Sequence, residues 1–326
     1  MKSVLVTGAN GCVGSNLIAR LVADGYIVRG FHRPTSNLIT LEGIDFEHYI
    51  GDIRDETALR NAMRGCDTVF HTAAIVSYWP KRYREMMDVN VAGTRTVVNA
   101  CLASDVQKLV HTSSVAALGK TEDGSLVDEA VAFNGMTKPS YRYSKHLAEL
   151  EVLRGVQVGL NATLVNPSVI IGPRDAQFHG GKIIRSIKKG LLPAYVDGGM
   201  NVVSVHDVVE GHIAAALQGR CGERYLLGGW NLKFKEIFEL TARIVGGWAP
   251  RVKVSRRFLT LLARSYGLFA NATGTEPLIS LDLLSGAGLQ TWYSSNKAVN
   301  ELGYKISPIE PAIMESYEWY ASHGLL

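Results

Sequence analysis

Apolar positions along this chain switch repeatedly between a strand rhythm and a helix rhythm. Ser3 to Val6 (Ser-Val-Leu-Val) is a short β-branched run that enters the turn Thr7-Gly8-Ala9-Asn10-Gly11-Cys12-Val13-Gly14. Val13, Leu17, Ile18, Leu21 and Val22 then recur three and four apart, the period of an amphipathic helix. Gly25 stops that helix, and Tyr26 to Phe31 predicts a second strand. Phe46 to Ile50 predicts a third, followed by Gly51-Asp52 and a helix over Asp55 to Arg64. Asp67 to His71 and Lys108 to Thr112 predict the fourth and fifth, with a long helix over Val89 to Ala103 between them. Tyr141 to Val156 predicts a helix and Ala162 to Val165 a sixth strand. Strands alternating with helices of this length imply parallel βαβ units, hence an α/β fold with a doubly wound parallel sheet.

After Pro167 the alternation is lost and Gly and Pro become frequent (Gly172-Pro173, Gly180-Gly181, Pro193, Gly198-Gly199). Val202 to Val209 and Glu223 to Leu227 read as strands returning to the first sheet, and the chain from Trp230 on reads as mostly helical. The pattern therefore predicts a doubly wound Rossmann domain over 1–166 plus about 202–228. A smaller, mostly helical substrate domain takes 167–201 plus 229–326.

Composition changes this picture little. The chain has 326 residues, enough for both bodies, with 47% hydrophobic and 20% charged residues. A net charge of +4 without a Lys/Arg run gives no footing to nucleic acid. The greasiest helix, Phe258 to Phe269, is interrupted by Arg264, so no membrane span is expected. A first strand that begins at residue 3 leaves no room for a leader. Cys12, Cys66, Cys101 and Cys221 are scattered, with no metal spacing. They are expected as four buried thiols in a reducing cytoplasm.

The opening strand, glycine turn and helix together make a phosphate-binding corner. Gly8 permits the tight turn, Gly11 lets backbone approach a pyrophosphate, and Gly14 lets the helix pack on the strand. The helix N-terminus offers N–H groups and a positive dipole end to the anion. The second strand ends Gly30-Phe31-His32-Arg33-Pro34, without the carboxylate that would hold an adenosine ribose. Arg33 can instead pair with a 2′-phosphate, which favours NADP(H) over NAD(H). Asp52, after strand three, is either an adenine contact or a helix N-cap, and Asp55 competes for the cap.

Tyr141 and Lys145 stand four apart in Tyr141-Arg-Tyr-Ser-Lys145, one above the other on a helix face. A phenol is a poor acid at neutral pH, and an ammonium one turn away is expected to lower its pKa. Val110-His-Thr-Ser-Ser114 ends a strand where Ser114 can donate to a substrate oxygen. Ser113 and Ser114 also suit loop hydrogen bonding, which one of them is expected to do alone. Asn90 either orients a proton-relay water near Lys145 or caps and kinks its helix. Tyr293-Ser-Ser-Asn-Lys297 repeats the tyrosine–lysine spacing and reads as a coincidence.

Taken together, these residues resemble an extended (atypical) short-chain dehydrogenase/reductase of the NAD-dependent epimerase/dehydratase group, in its dihydroflavonol-4-reductase-like branch. That branch also holds cinnamoyl-CoA reductases, 3β-hydroxysteroid dehydrogenases and bacterial hopanoid-associated sugar epimerases. The matching stretches run from Thr7–Gly14 through Gly51-Asp-Ile53, Val69–Ala74, Asn90–Thr94, Thr112–Ser114, Tyr141–Lys145, Asn166-Pro-Ser168 and Val205–Val208 to Glu301-Leu-Gly-Tyr304. The resemblance implies Ser114, Tyr141 and Lys145 as a catalytic triad. It places Gly8, Asn10, Gly11, Cys12, Val13, Arg33, Asp52, Ile53, Thr72, Ala73, Ala74, Thr112, Tyr141, Lys145, Pro167 and Val169 on the cofactor. It also implies a homodimer through the helices that hold Asn90 and Tyr141.

On the substrate side, Ser77, Tyr78 and Trp79 follow strand four at the carboxyl edge of the sheet, where ligands bind. Tyr78 and Trp79 either line an aromatic pocket or pack between domains. Asn166, Ser168, His179 and Tyr195 are further candidates on later loops. His206 and Asp207 read as a turn or cap. No concentrated Lys/Arg pocket supports a sugar diphosphate, and Arg174 and Arg185 are the residues that would serve one. The reading is an NADP(H)-dependent oxidoreductase on a small-molecule carbonyl/alcohol pair. The alternatives are a nucleotide-sugar epimerase or dehydratase that recycles its hydride, and a non-catalytic dinucleotide-binding regulator.

Overall fold

A computed structural model of the chain describes residues 1–121, 124–255, 257–258, 260 and 291–326. The helix predicted over 258–269 lies, beyond Phe258 and Thr260, outside them. The first half is a series of parallel strands with helical crossovers: β1 (Ser3–Thr7), α1 (Cys12–Ala23), β2 (Ile27–His32), β3 (Glu47–Ile50), α2 (Glu56–Met63) and β4 (Thr68–His71). There follow α3 (Tyr83–Met87), α4 (Thr94–Leu102), β5 (Lys108–Thr112), α5 (Tyr141–Gln157) and β6 (Ala162–Pro167). A seventh strand, labelled β10 below (Arg224–Leu227), joins this sheet beside β6. The order is β10-β6-β5-β4-β1-β2-β3, every pairing parallel.

Successive side chains of a strand face opposite sides, and this sheet is buried on both. Val4 and Val6 enter one core, with Leu17, Ile18 and Leu21 of α1. Leu5, between them, enters the other, with Leu59 and Met63 of α2 and Val97 and Val98 of α4. Val69 and Phe70, and Leu109 and Val110, divide the same way. Such burial explains why the strands read as unbroken apolar runs.

A second body begins beyond β6 with β7 (Val169–Ile171), α6 (Lys182–Lys188), β8 (Ala194–Tyr195) and β9 (Gly199–Ser204), while α7 (Val205–Gln218) packs back on the first core through Val208, Val209 and Ile213. After β10 come β11 (Trp230–Lys233), α8 (Phe234–Val245), β12 (Val252–Lys253), α9 (Asn296–Leu302) and α10 (Ile309–Ser322). One expectation is corrected here. The stretch Val202 to Val209 is not a strand of the first sheet. Its first part ends β9 in a three-stranded sheet, β11-β9-β7, and α7 starts at Val205 because the Ser204 hydroxyl accepts from the His206 N–H at 3.2 Å and caps it. The chain from Trp230 is mostly helical as expected, after the short strand β11 antiparallel to β9. Ile171, Ile184, Ile187, Ile237, Ile313 and Tyr320 form this body's own core.

All four cysteines are free, but Cys221 is exposed in the turn before β10 and Cys12 only half-buried, against the expected four buried thiols. Among the described residues, no helix is long and apolar enough to cross a membrane.

The strand order reverses between β1 and β4, and the two loops there touch. A Cβ on Gly8 (φ +71°) would stand 2.6 Å from Ala73 Cα, and one on Gly14 only 2.3 Å from the Gly8 carbonyl oxygen. Gly25, at φ +81°, has open space around it. Gly25→Ala therefore carries only the left-handed backbone cost, on the order of 1–2 kcal/mol. Gly14→Ala forces backbone apart and is expected to cost at least about 3 kcal/mol in urea unfolding. Equal losses at the two sites would contradict this account of the corner.

Candidate active site

Helix α1 begins at the glycine corner with Gly11 as its N-cap, no side chain capping it and no acidic residue in its first turn. Gly11 N–H donates to the Gly8 carbonyl at 2.9 Å, which closes the turn. The Thr72 hydroxyl donates to the Thr7 carbonyl at 2.8 Å, so the Thr72-Ala73-Ala74 loop is fixed against the same corner. A cradle that a single Cβ would fill, at an uncapped helix start on the switch point, fits a dinucleotide pyrophosphate. Asn10, Cys12 and Val13 lie in this turn. The Asn10 carbonyl accepts from the Thr40 hydroxyl, and the Cys12 thiol lies against the Pro173 carbonyl.

At the far end of the corner Arg33 is exposed just beyond β2. Its charge reaches Asp52, whose carboxyl is held below the usual range chiefly by Arg54 at 2.7 and 2.8 Å. The cap of α2 belongs to Asp55, which accepts from the Ala58 N–H at 3.0 Å. Ile53 is buried beneath this end, against Gly93.

The catalytic candidates converge from β5 and α5. Tyr141 is the first residue of α5, which is capped by the Ser140 hydroxyl. The Ser114 side chain hydrogen-bonds the Tyr141 phenol and also accepts from the Ala116 N–H at 3.1 Å. Ser113 points elsewhere: its hydroxyl is buried without a partner. Of the two serines, Ser114 is the one that meets Tyr141. Lys145, one turn along, is buried, and its ammonium donates to the Thr112 carbonyl at 2.8 Å. Burial lowers its pKa from 10.5 to about 8, with Glu149 partly opposing.

The phenol differs from expectation. Burial pushes Tyr141 up, Tyr78 adds to the rise, and only the Ser114 hydrogen bond pulls it down. Lys145 does not lower the phenol's pKa; its ammonium donates to the Thr112 carbonyl at the strand end. The charge of Lys145 falls instead on two buried histidines behind it. His71 is held neutral, with a pKa of about 3, between the Thr7 and Thr94 hydroxyls at 2.8 and 3.0 Å. His111, 5.2 Å from it ring to ring, has neither nitrogen hydrogen-bonded.

Asn90 sits in a π-helical turn, Asp88–Gly93, just before α4. Its amide accepts from the Ile75 N–H at 2.8 Å and donates to the Ile75 carbonyl at 2.9 Å and to the Ser144 hydroxyl at 3.0 Å. The side chain thus ties the loop after β4 to α5 beside Lys145, and those contacts leave it little capacity to orient water. Asn166 is fully buried, and its amide oxygen has no hydrogen-bond partner among the described residues. Its amide donates to the Ser114 carbonyl at 3.0 Å and to Glu149 at 2.6 Å, and Glu149 pairs with Arg224 at 3.5 Å. Buried polar contacts of this kind fix the Ser114 loop against α5.

Around the opening, the Tyr78 ring meets Tyr141 edge-on at 5.8 Å. Ser77 is buried and accepts from the Trp79 N–H, and Trp79 turns away under Lys81. Pro167 ends β6 and Val169 starts β7 at the same sheet edge. Thr112 directs its hydroxyl to His212 on the opposite face, at 2.8 Å. Of the later candidates, Asp207 accepts from Ser307 and His206 pairs with Glu315, away from Tyr141. Arg174 donates to the Thr40 and Glu42 carbonyls and Arg185 lies over Phe178, so neither stands ready for a diphosphate. Tyr293 was not singled out from sequence. Lys297 pairs with Glu223 at 2.6 Å, but Tyr293 itself faces Arg142 and Tyr78. Its only signal, the repeated spacing, carried no information about place. Among the described residues no His/Cys/Asp/Glu group is arranged to hold a metal.

The seven-stranded parallel sheet with its glycine corner defines a nicotinamide-dinucleotide-binding class of protein. Residues 4–228 match the model of the NAD dependent epimerase/dehydratase family, and the chain belongs to that family. It is 34% identical to a putative dihydroflavonol 4-reductase of Synechocystis sp., over 98% of this chain and 94% of that protein. It is 30% identical to cinnamoyl-CoA reductase 1 of Petunia hybrida, over 99% and 93%. The crystal structure of gox2253 superposes with a TM-score of 0.86 at 36% identity, each chain fully covered.

Because the folded pKa of Lys145 is lowered, the unfolded chain binds more protons between about pH 8 and 10.5. Stability therefore rises with pH through that window, by up to about 3 kcal/mol from this group. Lys145→Met removes the effect. The stability gained by Lys145→Met over wild type should shrink by about 2 kcal/mol from pH 7.5 to pH 9.5 in urea unfolding. A difference independent of pH would show that the ammonium is not desolvated.

Proposed function

We propose that the chain is an NADP(H)-dependent oxidoreductase that interconverts a ketone or aldehyde and an alcohol. One observation carries this: Ser114, Tyr141 and Lys145 converge at the carboxyl edge of the sheet, beside the glycine corner. The reductase names of the similar proteins support it. Gly8, Gly11, Val13 and the Thr72–Ala74 loop would hold the cofactor's pyrophosphate and nicotinamide half, and Arg33 the 2′-phosphate. When bound, NADPH supplies hydride to the carbonyl carbon.

The protein's own part is polar. The Ser114 hydroxyl donates to the substrate oxygen, and the Tyr141 phenol gives that oxygen its proton. An elevated phenol pKa makes Tyr141 a holder of its proton in the free enzyme. Lys145, titrating near 8, is the reserve from which the proton is replaced. Asn90 and Asn166 act as positioning residues for α5 and for the Ser114 loop. The same reading includes a homodimer through α4 and α5. An epimerase on a sugar diphosphate finds less support, since Arg174 and Arg185 are engaged elsewhere.

Fluorescence titration is expected to show NADPH binding at least about tenfold tighter than NADH, the preference disappearing in Arg33→Ala. Equal affinities in wild type would move the reading to the epimerase. Tyr141→Phe should lower kcat for ketone reduction by about 10²–10⁴. In wild type kcat/KM should fall as pH rises through about 8. Full activity of Tyr141→Phe would end the reductase mechanism.

A further inference from the structure

The residue next to Tyr141 is a cation without an anion. Arg142 is half-buried near the start of α5, and one guanidinium nitrogen donates to the Leu118 carbonyl at 2.7 Å. Its face lies 5.8 Å from the Phe133 ring. Among the described residues no carboxylate pairs with it. The buried acids near the site are occupied: Glu149 by Asn166 and Arg224, Glu129 by the Leu226 N–H at 2.6 Å.

What faces Arg142 is a pair of phenols, Tyr78 and Tyr293. Tyr78 touches the Tyr141 ring. Tyr293 is bridged to Val127 and packs on the small core that contains Leu118, whose carbonyl holds the guanidinium. Tyr293 supplies no negative charge, because burial raises it to about 12, and the Tyr78 ring meets Tyr141 edge-on. A half-buried cation with no counter-charge is costly, and among the described residues only the Leu118 carbonyl accepts from its five N–H donors. A carboxylate from a ligand meets that need, because the planar fork donates to both of its oxygens. The two phenol rings add flat, apolar walls with a polar edge.

We infer that Arg142, Tyr78 and Tyr293 form a substrate-recognition subsite that takes a planar carbonyl compound bearing a carboxylate. The carbonyl part of this inference rests on the reductase reading; the anion part does not, and is tested by binding.

The probes are 4-acetylbenzoate and its uncharged isostere 4-acetylbenzamide, titrated calorimetrically into NADPH-loaded protein. Wild type should bind the acid at least about tenfold more tightly than the amide. Arg142→Gln should abolish that difference and leave the affinity for the amide unchanged, while Arg142→Lys, which keeps charge and loses the fork, should retain part of it. Tyr141→Phe should keep the full preference even though reduction stops. Absence of ketone reduction with the acid preference intact would overturn the reductase reading alone. Equal binding of acid and amide, no binding of either, or a preference that survives Arg142→Gln would overturn the subsite. Should Arg142→Gln fail to fold, the wild-type ratio and Arg142→Lys decide.

Discussion

The contact between the Lys145 ammonium and the Thr112 carbonyl organises the site. It joins α5, one turn past Tyr141, to the end of β5, and so brings Tyr141 to Ser114. An ammonium can be buried here because the strand end presents a free carbonyl and Glu149 lies one turn below. Even so, the drop of its pKa from 10.5 to about 8 is on the order of 3 kcal/mol in favour of the neutral amine. Its neighbours answer that charge by staying neutral. His71 and His111 are both depressed by burial and by Lys145. A charge that the fold tolerates only barely is one that titrates in the working range, as proton transfer requires.

Two asparagines show how the loops around that contact are kept in place. Asn90 fastens the loop after β4 to α5, and Asn166 fastens the Ser114 loop to Glu149. From sequence, Asn90 reads as orienting a relay water or capping its helix and Asn166 as a substrate contact. The Asn90 amide and the Asn166 amide nitrogen are bonded to backbone and neighbouring side chains. Reactive groups held this way keep their geometry without relying on the substrate. The opposite end of the crevice is less constrained. Arg33 is exposed, and the glycine corner offers backbone rather than side chains. That end presents open N–H groups and one exposed cation.

Much of this was legible in the chain. Unbroken apolar runs such as Leu109-Val110 and helix-spaced runs such as Leu17, Ile18 and Leu21 determine the doubly wound sheet, since each rhythm has one way to bury its apolar face. The meeting of Ser114 and Tyr141 was legible in order along the chain: a strand that ends just before Ser114, then a helix starting at Tyr141. What eluded the pattern were matters of direction. The strand expected over Val202 to Val209 ended early because Ser204 caps a helix, a local contest that β-branched composition hides. Asn166 looked like a loop residue although its amide points inward. Nor can spacing say that Lys145 aims at a carbonyl rather than a phenol, or that Tyr293, far along the chain, returns to face Arg142.

The central claim is that hydride and proton reach a carbonyl at Tyr141 with net consumption of cofactor. Its most direct test is deuterium transfer from NADPH labelled at C4, prepared separately with the label on each face, to an aryl methyl ketone. The account predicts deuterium at the carbinol carbon from one face only, with one NADPH oxidised per alcohol formed. Turnover of a sugar nucleotide with no net loss of NADPH, or alcohol formed without the label from either face, would contradict it.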